Sequence, residues 1–135
     1  MVIVRKSFSF GAAHRLFSPH LTEEENASLY GKCSNPNFHG HNYTLEVAVQ
    51  VDIDPRTGMV INFYDLKKIV NEVIIDKLDH KNLNLDVDFL KGEISTAENM
   101  ARLIWKELEP CLENVRLYEI VLAETPDNVV CYRGE

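Results

Sequence analysis

Two histidines one residue apart, His39 and His41, have the spacing of metal ligands. On an extended segment, side chains at i and i+2 leave the same face, so both imidazoles enter one pocket. Gly40 between them lets the backbone approach closely. Neutral imidazoles are natural zinc ligands. Taken alone, the pair fits two satisfied histidines in a polar loop as well, because histidine has several other uses. His14 adds weight. It ends the N-terminal strand segment behind the small Ala12 and Ala13, and it meets the pair if that strand lies beside the one starting near His41. Three nitrogen ligands with no cysteine partner leave an open coordination position, the arrangement of catalytic zinc. His20, between Pro19 and Leu21, reads as a surface histidine.

Cys33 lies in the turn-rich Gly31-Lys32-Cys33-Ser34-Asn35-Pro36, with a cation beside it and the histidines a few residues on. A cation and a metal both favour the thiolate, which suits a base or nucleophile; a zinc ligand or an inert loop thiol are the alternatives. Asp79-His80 follows a helix end, where a protonated imidazole is favoured and a carboxylate can fix the ring; the histidine could equally cap the helix. Glu124 ends an apolar row of Tyr118, Ile120 and Leu122, so it must reach solvent or meet a donor-rich ligand. Glu98 has a structural explanation at hand, because Ser95-Thr96-Ala97-Glu98 reads as a capping box.

The elements that must position these residues follow from periodicity. Leu66, Ile69, Val70, Val73, Ile74 and Leu78 share one face of a helix from Tyr64 to Leu78. Ala97, Met100, Ala101, Ile104, Trp105 and Leu108 do the same for a second helix, with Pro110 as a stop. His41 to Val51 alternates as a strand, packed at odd positions and wet at most even ones. The turn Asp54 to Gly58 predicts a hairpin with a short strand from Met59 to Phe63. Arg116 to Thr125 and Asn128 to Tyr132 predict another hairpin around Pro126-Asp127, and Val2 to Phe10 supplies the remaining strand. The order implies an α+β domain: an antiparallel sheet with two helices on one face. Tyr43, Val47, Ile120 and Leu122 give the sheet much apolar surface, which argues for an oligomer.

With 135 residues, 45% of them hydrophobic, the chain fits a single domain over 1–135. A formal net charge of -7 and the lack of a basic stripe argue against nucleic acid; a phosphorylated substrate would need a local basic cluster. Arg15, Lys32 and Lys81 are its candidates. The N-terminus has the wrong order for a signal peptide, and no apolar run approaches the ~20 residues of a membrane span. Cys33, Cys111 and Cys131 are odd in number and scattered, which points to a reducing cytoplasm, with Cys111 and Cys131 as small buried hydrophobes.

These residues together resemble the 6-pyruvoyl-tetrahydropterin synthase family of animal type, within the tunnelling-fold group. The likeness runs from about Ser7 to the end. It is carried by Phe8-Ser9-Phe10 with Ala13-His14-Arg15, and by Gly31-Lys32-Cys33 through Asn35-Pro36-Asn37 to His39-Gly40-His41-Asn42-Tyr43. Further along it is carried by Asp54-Pro55 with Thr57-Gly58-Met59-Val60, Leu78-Asp79-His80-Lys81-Asn82-Leu83, Ser95-Thr96 with Glu98-Asn99, and Glu124-Thr125. The resemblance implies sheets joined into barrels in a homohexamer, a dimer of trimers, with sites between subunits. It implies a lyase that converts 7,8-dihydroneopterin triphosphate to 6-pyruvoyl-tetrahydropterin and triphosphate, in tetrahydrobiopterin biosynthesis. By the same carry-over His14, His39 and His41 bind zinc, Cys33 accepts the proton, Asp79 and His80 from a neighbouring subunit form its relay, Glu124 anchors the pterin, and Thr96 and Glu98 lie near it. Phe38 departs from the family pattern, which usually has glycine there; Ser34 and Ala97 replace the commoner asparagine and threonine. A 6-carboxy-tetrahydropterin synthase, or a zinc- or pterin-binding protein without catalysis, is the alternative. The cysteine is generally closer to the H-G-H element in the former, and the latter needs no Cys33, Asp79 and His80 together.

Overall fold

The computed structural model describes residues 1–135. Two thirteen-residue strands, β1 (Val2–His14) and β2 (His39–Val51), pair antiparallel along their whole length, from Val2 opposite Val51 to His14 opposite His39. β4 (Arg116–Thr125) pairs with β2, and β5 (Asn128–Tyr132) with β4, both antiparallel. With the short strand β3 (Lys81–Asn82) added, the strand order is β3-β1-β2-β4-β5. β3 is too short to show in a sequence pattern; it runs parallel to β1 at Ala12 and Ala13 and is the exception to the antiparallel expectation.

Alternation decides which face is covered. Phe8, Phe10, Tyr43, Leu45, Val47, Val49, Leu117, Ile120 and Leu122 point to one side, where they are buried against the helices. α2 (Phe63–Val70) starts at the Asn62 cap, passes through the π turn Asn71–Ile75, and ends with α3 (Asp76–Leu78). One residue of extra winding turns Ile74, Ile75 and Leu78 all inward. α4 (Ala97–Leu108) buries Met100, Ala101, Ile104, Trp105 and Leu108 in the same core. Two helices thus lie on one face, as the periodicity predicts.

Several expectations need correction. Met59 to Phe63 is not a strand: Asp54 and Met59 form one isolated bridge, and Phe63 already belongs to α2 because Asn62 accepts from the Tyr64 N–H. A further helix, α1 (Glu23–Tyr30), opens on a complete capping box of Thr22 and Glu25. The N-terminal strand runs four residues past Phe10, to His14. Tyr43, Val47, Ile120 and Leu122 are wholly buried under the helices of their own chain, so they offer no surface for an oligomer. Cys111 and Cys131 are exposed, the one at the end of a 3-10 turn (Glu109–Cys111) and the other on the uncovered face of edge strand β5.

Candidate metal centre and its adjoining cleft

The β1–β2 register builds the centre. Successive pairs on the covered face are Phe10 with Tyr43, Ala12 with His41, and His14 with His39. Ala12 opposite His41 leaves room for the imidazole, and a Cβ on Gly40 would stand 3.4 Å from the Ala12 carbonyl oxygen, so glycine permits the close approach. The three rings converge with centroids 4.6, 4.9 and 5.1 Å apart, and one nitrogen from each lies within 4.8 Å of the others. The condition that the N-terminal strand lie beside the His41 strand is met.

Electrostatics favours neutral imidazoles. His14 is fully buried, and its pKa is pushed down to about 4: burial dominates, His39 and His41 add to it, and a hydrogen bond to the Ser95 carbonyl opposes it. His39 is also lowered, by burial first and then by His41, against the opposing charge of Glu124. His14 Nδ1 donates to the Ser95 carbonyl at 2.9 Å, so Nε2 keeps its lone pair. Both ring nitrogens of His39 and Nε2 of His41 are buried without a hydrogen-bond partner. Unpartnered buried nitrogens are costly, and a cation taken up between these rings would satisfy one nitrogen of each; the donor set fits a divalent metal.

Cys33 sits half-buried in the 3-10 turn Gly31–Ser34, tied to the end of β1 by the Leu16 N–H donating to its carbonyl at 2.8 Å. Its thiol and the Glu124 carboxylate both act on the Tyr43 hydroxyl, which burial, then Glu124, then Cys33 push well above the usual phenol range. Glu124 Oε1 lies 3.4 Å from His41 Nε2, a proximity without hydrogen-bond alignment. Glu124 also lines a cleft of about 510 Å3 with Tyr30, Thr96, Glu98, Asp127 and Asn128. The cap of α4 is Thr96, which accepts from the Asn99 N–H, and not Ser95, whose hydroxyl reaches back to the Arg15 carbonyl. The capping-box explanation of Glu98 therefore falls, and its exposed carboxylate faces the cleft.

Asp79 and His80 stand apart from this group. Asp79 accepts from the Gly11 N–H at 2.9 Å and from His80 Nδ1 at 3.0 Å, and His80 donates its own N–H to the Gly11 carbonyl. The Gly11 bond does most to lower the Asp79 pKa; burial opposes it, and His80 adds to the lowering. The His80 side chain is 89% exposed, its backbone is left-handed at φ 62, and it has no hydrogen bond to the triad or to Cys33. It borders a cleft with Ala13, Gly40, Asn42 and Lys81 at the end of the sheet. Of the three basic candidates, Arg15 is engaged with the Ser34 carbonyl and the Phe17 ring, while Lys32 and Lys81 are exposed. A larger cleft of about 630 Å3, lined by Met59, Asp65, Ile69 and Val115, is at the opposite end of the sheet from the histidines. Sequence reasoning missed Tyr43 as a site residue; its place two positions after His41 on the same strand face was the available signal.

Comparisons with known proteins point to one family. Residues 3–135 match the family described as 6-pyruvoyl tetrahydropterin synthase. The chain is 52% identical over 132 residues to the 6-pyruvoyl tetrahydrobiopterin synthase of Pongo abelii, covering 98% of this chain and 91% of that protein. It is 50% identical over 132 residues to the Homo sapiens enzyme of that name, with the same coverage. The structure of Caenorhabditis elegans 6-pyruvoyl tetrahydropterin synthase superposes with a TM-score of 0.94 at 41% identity, covering 99% of this chain and 96% of that one.

Proposed function

Because the chain belongs to the 6-pyruvoyl tetrahydropterin synthase family, we propose that it is a zinc-dependent lyase that converts 7,8-dihydroneopterin triphosphate to 6-pyruvoyl-tetrahydropterin and triphosphate. The observation that carries the reading is the convergence of His14, His39 and His41, with buried ring nitrogens that lack partners. These three residues would hold the ion. A bound zinc ion supplies Lewis acidity to the hydroxylated side chain of the substrate.

The chain's own residues supply the rest. Glu124, with Thr96 and Glu98 along the same cleft, accepts hydrogen bonds from the donor-rich edge of the pterin and fixes the side chain toward the histidines. Cys33 takes the proton from the carbon that bears a side-chain hydroxyl, and Asp79 with His80, contributed by a neighbouring chain, carries it away. Exposure of His80 and its distance from any triad hydrogen bond suit such a role in trans. Triphosphate leaves as the electron pair moves, and tautomerisation of ring and side chain balances the oxidation states without an external oxidant.

The same reading makes the molecule a tunnelling-fold barrel in a dimer of trimers working in the cytoplasm. β1 from Val2 to Phe10 and β5 from Asn128 to Tyr132 each have one unpaired edge, which barrel closure would satisfy. Its test is incubation with 7,8-dihydroneopterin triphosphate, with triphosphate release and the pterin product followed with and without a chelator. Chelator-sensitive formation of the 6-pyruvoyl product is expected. A 6-carboxy product, or tight pterin binding without turnover, overturns the assignment.

A further inference from the structure

Tyr43 has no solvent exposure, and its phenol O–H needs a partner that a phenylalanine in its place would not. The ring stacks on Phe10 at 4.9 Å and 7°, a contact that uses no hydroxyl. The hydroxyl oxygen lies instead 3.4 Å from Nδ1 and 3.5 Å from Nε2 of His14, and makes no other hydrogen-bonding contact. The ring stands edge-on to both His14 and His41, at 82° in each case, with centroids 6.1 and 5.7 Å away. Thr44 pairs with Ala123 and Leu45 with Leu122, so the next step of that register sets Tyr43 beside Glu124. One side chain therefore adjoins two members of the triad and the carboxylate of the cleft.

The three imidazoles are held unequally. His14 is fixed at Nδ1 by the Ser95 carbonyl, while His39 has no hydrogen bond at either nitrogen and His41 none at Nε2. A ligand ring that must be ordered as the ion arrives weakens binding, which is why partners behind the ligands matter nearly as much as the ligands. The Ser95 bond pins one atom of His14 but leaves the ring free to tilt about it. Tyr43 flanks the pair, its hydroxyl against both nitrogens of His14 and its ring edge-on to His14 and His41, and so restrains that tilt.

Resting on the reading of the triad as a zinc site, we infer that Tyr43 is a positioning residue of that site, its hydroxyl and ring together setting the orientation of His14. A core tyrosine with no such role predicts that Tyr43→Phe leaves metal binding alone, since the stacking on Phe10 survives.

The experiment compares the parent, Tyr43→Phe and Tyr43→Leu as metal-free proteins. Zinc affinity is measured by competition with a chromophoric chelator, the visible spectrum is recorded with cobalt(II), and the thermal midpoint reports the fold. Tyr43→Phe is expected to keep the fold and to bind zinc about 10-fold more weakly, with an altered cobalt spectrum, in the range usual for partners behind metal ligands. Tyr43→Leu, if it folds, should lose about 100-fold. A Tyr43→Phe protein with parental zinc affinity and an unchanged cobalt spectrum overturns the inference. A parent that binds no zinc overturns it together with the zinc reading. A parent that binds zinc but forms no pyruvoyl product refutes only the lyase, and the weakening in Tyr43→Phe would still stand.

Discussion

At the scale of single residues, the proposed roles separate by what each side chain touches. The fold around Cys33 rests on its backbone, through the Leu16 N–H and the Ser34 hydroxyl on the Gly31 carbonyl, and not on its thiol. Cys33→Ala should accordingly keep its thermal midpoint, its zinc and its pterin affinity. Turnover should fall by about 10²- to 10⁴-fold, as for a positioned acid-base group. Steady-state kinetics beside metal analysis decides it, and normal turnover would leave the thiol structural. His39→Ala should behave oppositely, losing most bound metal, because two imidazoles are too few for a stable site. The cluster itself was legible in the sequence: alternation alone put His39 and His41 on one face, and only the β1 pairing was needed to add His14. Glu98 was less legible, because the capping pattern starting at Ser95 and the true cap at Thr96 differ by one residue. Phe38 bears on the family departure. Its backbone is at φ 68, a region that favours glycine, which is the residue the resemblance leads one to expect there.

At the scale of elements, the long amphipathic segments were readable and the short ones were not. α4 and the β4–β5 hairpin fall where periodicity sets them, because each buries a continuous apolar stripe. α1 carries Glu23, Glu24 and Glu25 in its first turn and buries only Asn26, so it shows no stripe, although its capping box is visible at Thr22 and Glu25. The C-terminal tail is a further element whose fit appears only in three dimensions. Gly134 adopts φ 83, and a Cβ there would lie 2.5 Å from Cζ2 of Trp105, inside van der Waals contact. Trp105 is wedged between this tail and Tyr132, whose ring meets it edge-on at 5.6 Å, and its indole N–H donates to Glu109. Gly134→Ala should lift the tail and cost about 1–3 kcal/mol, from the left-handed backbone together with the lost packing. Trp105 is the only tryptophan, so the change should appear as a red shift of intrinsic fluorescence beside a lower urea midpoint. An unshifted spectrum with an unchanged midpoint would mean that the tail does not pack on Trp105 in solution.

At the scale of the whole molecule, the uncovered sheet face holds one clamp and two open edges. Glu119, 5% exposed, takes Arg5 of β1 and Arg133 of the tail at 2.7 Å each, tying three parts of the chain across that face. Burial works to raise its pKa, but the hydrogen bonds and charges of the two arginines outweigh it and hold the carboxyl below its ordinary range. A depressed folded pKa means that the clamp stabilises fully above the unfolded value near 4.5 and is lost as pH falls through the folded one. Glu119→Gln should lower stability at pH 7 by about 1–3 kcal/mol and narrow its gap to the parent below about pH 4. Urea titrations at the two pH values test this, and a gap independent of pH would rule the clamp out. The open edges argue further. Val2 to Phe10 of β1 and Asn128 to Tyr132 of β5 each present a row of backbone groups without a strand beside it, and edges of this kind invite pairing. The face between them carries Ser7, Ser9, Thr44 and Ala123, small or polar residues suited to the inside of a ring. Exposed Val2 and Val51 pair where β1 begins and β2 ends, and exposed Ile53 and Met59 follow beside the Asp54–Met59 bridge, an apolar rim at that end of the sheet. If the barrel closes between chains, sedimentation equilibrium should return six times the 15.5 kDa of one chain. The thermal midpoint should then rise with protein concentration, because association stabilises the folded state by mass action. A 15.5 kDa species whose midpoint is independent of concentration would leave both edges facing water and refute the barrel.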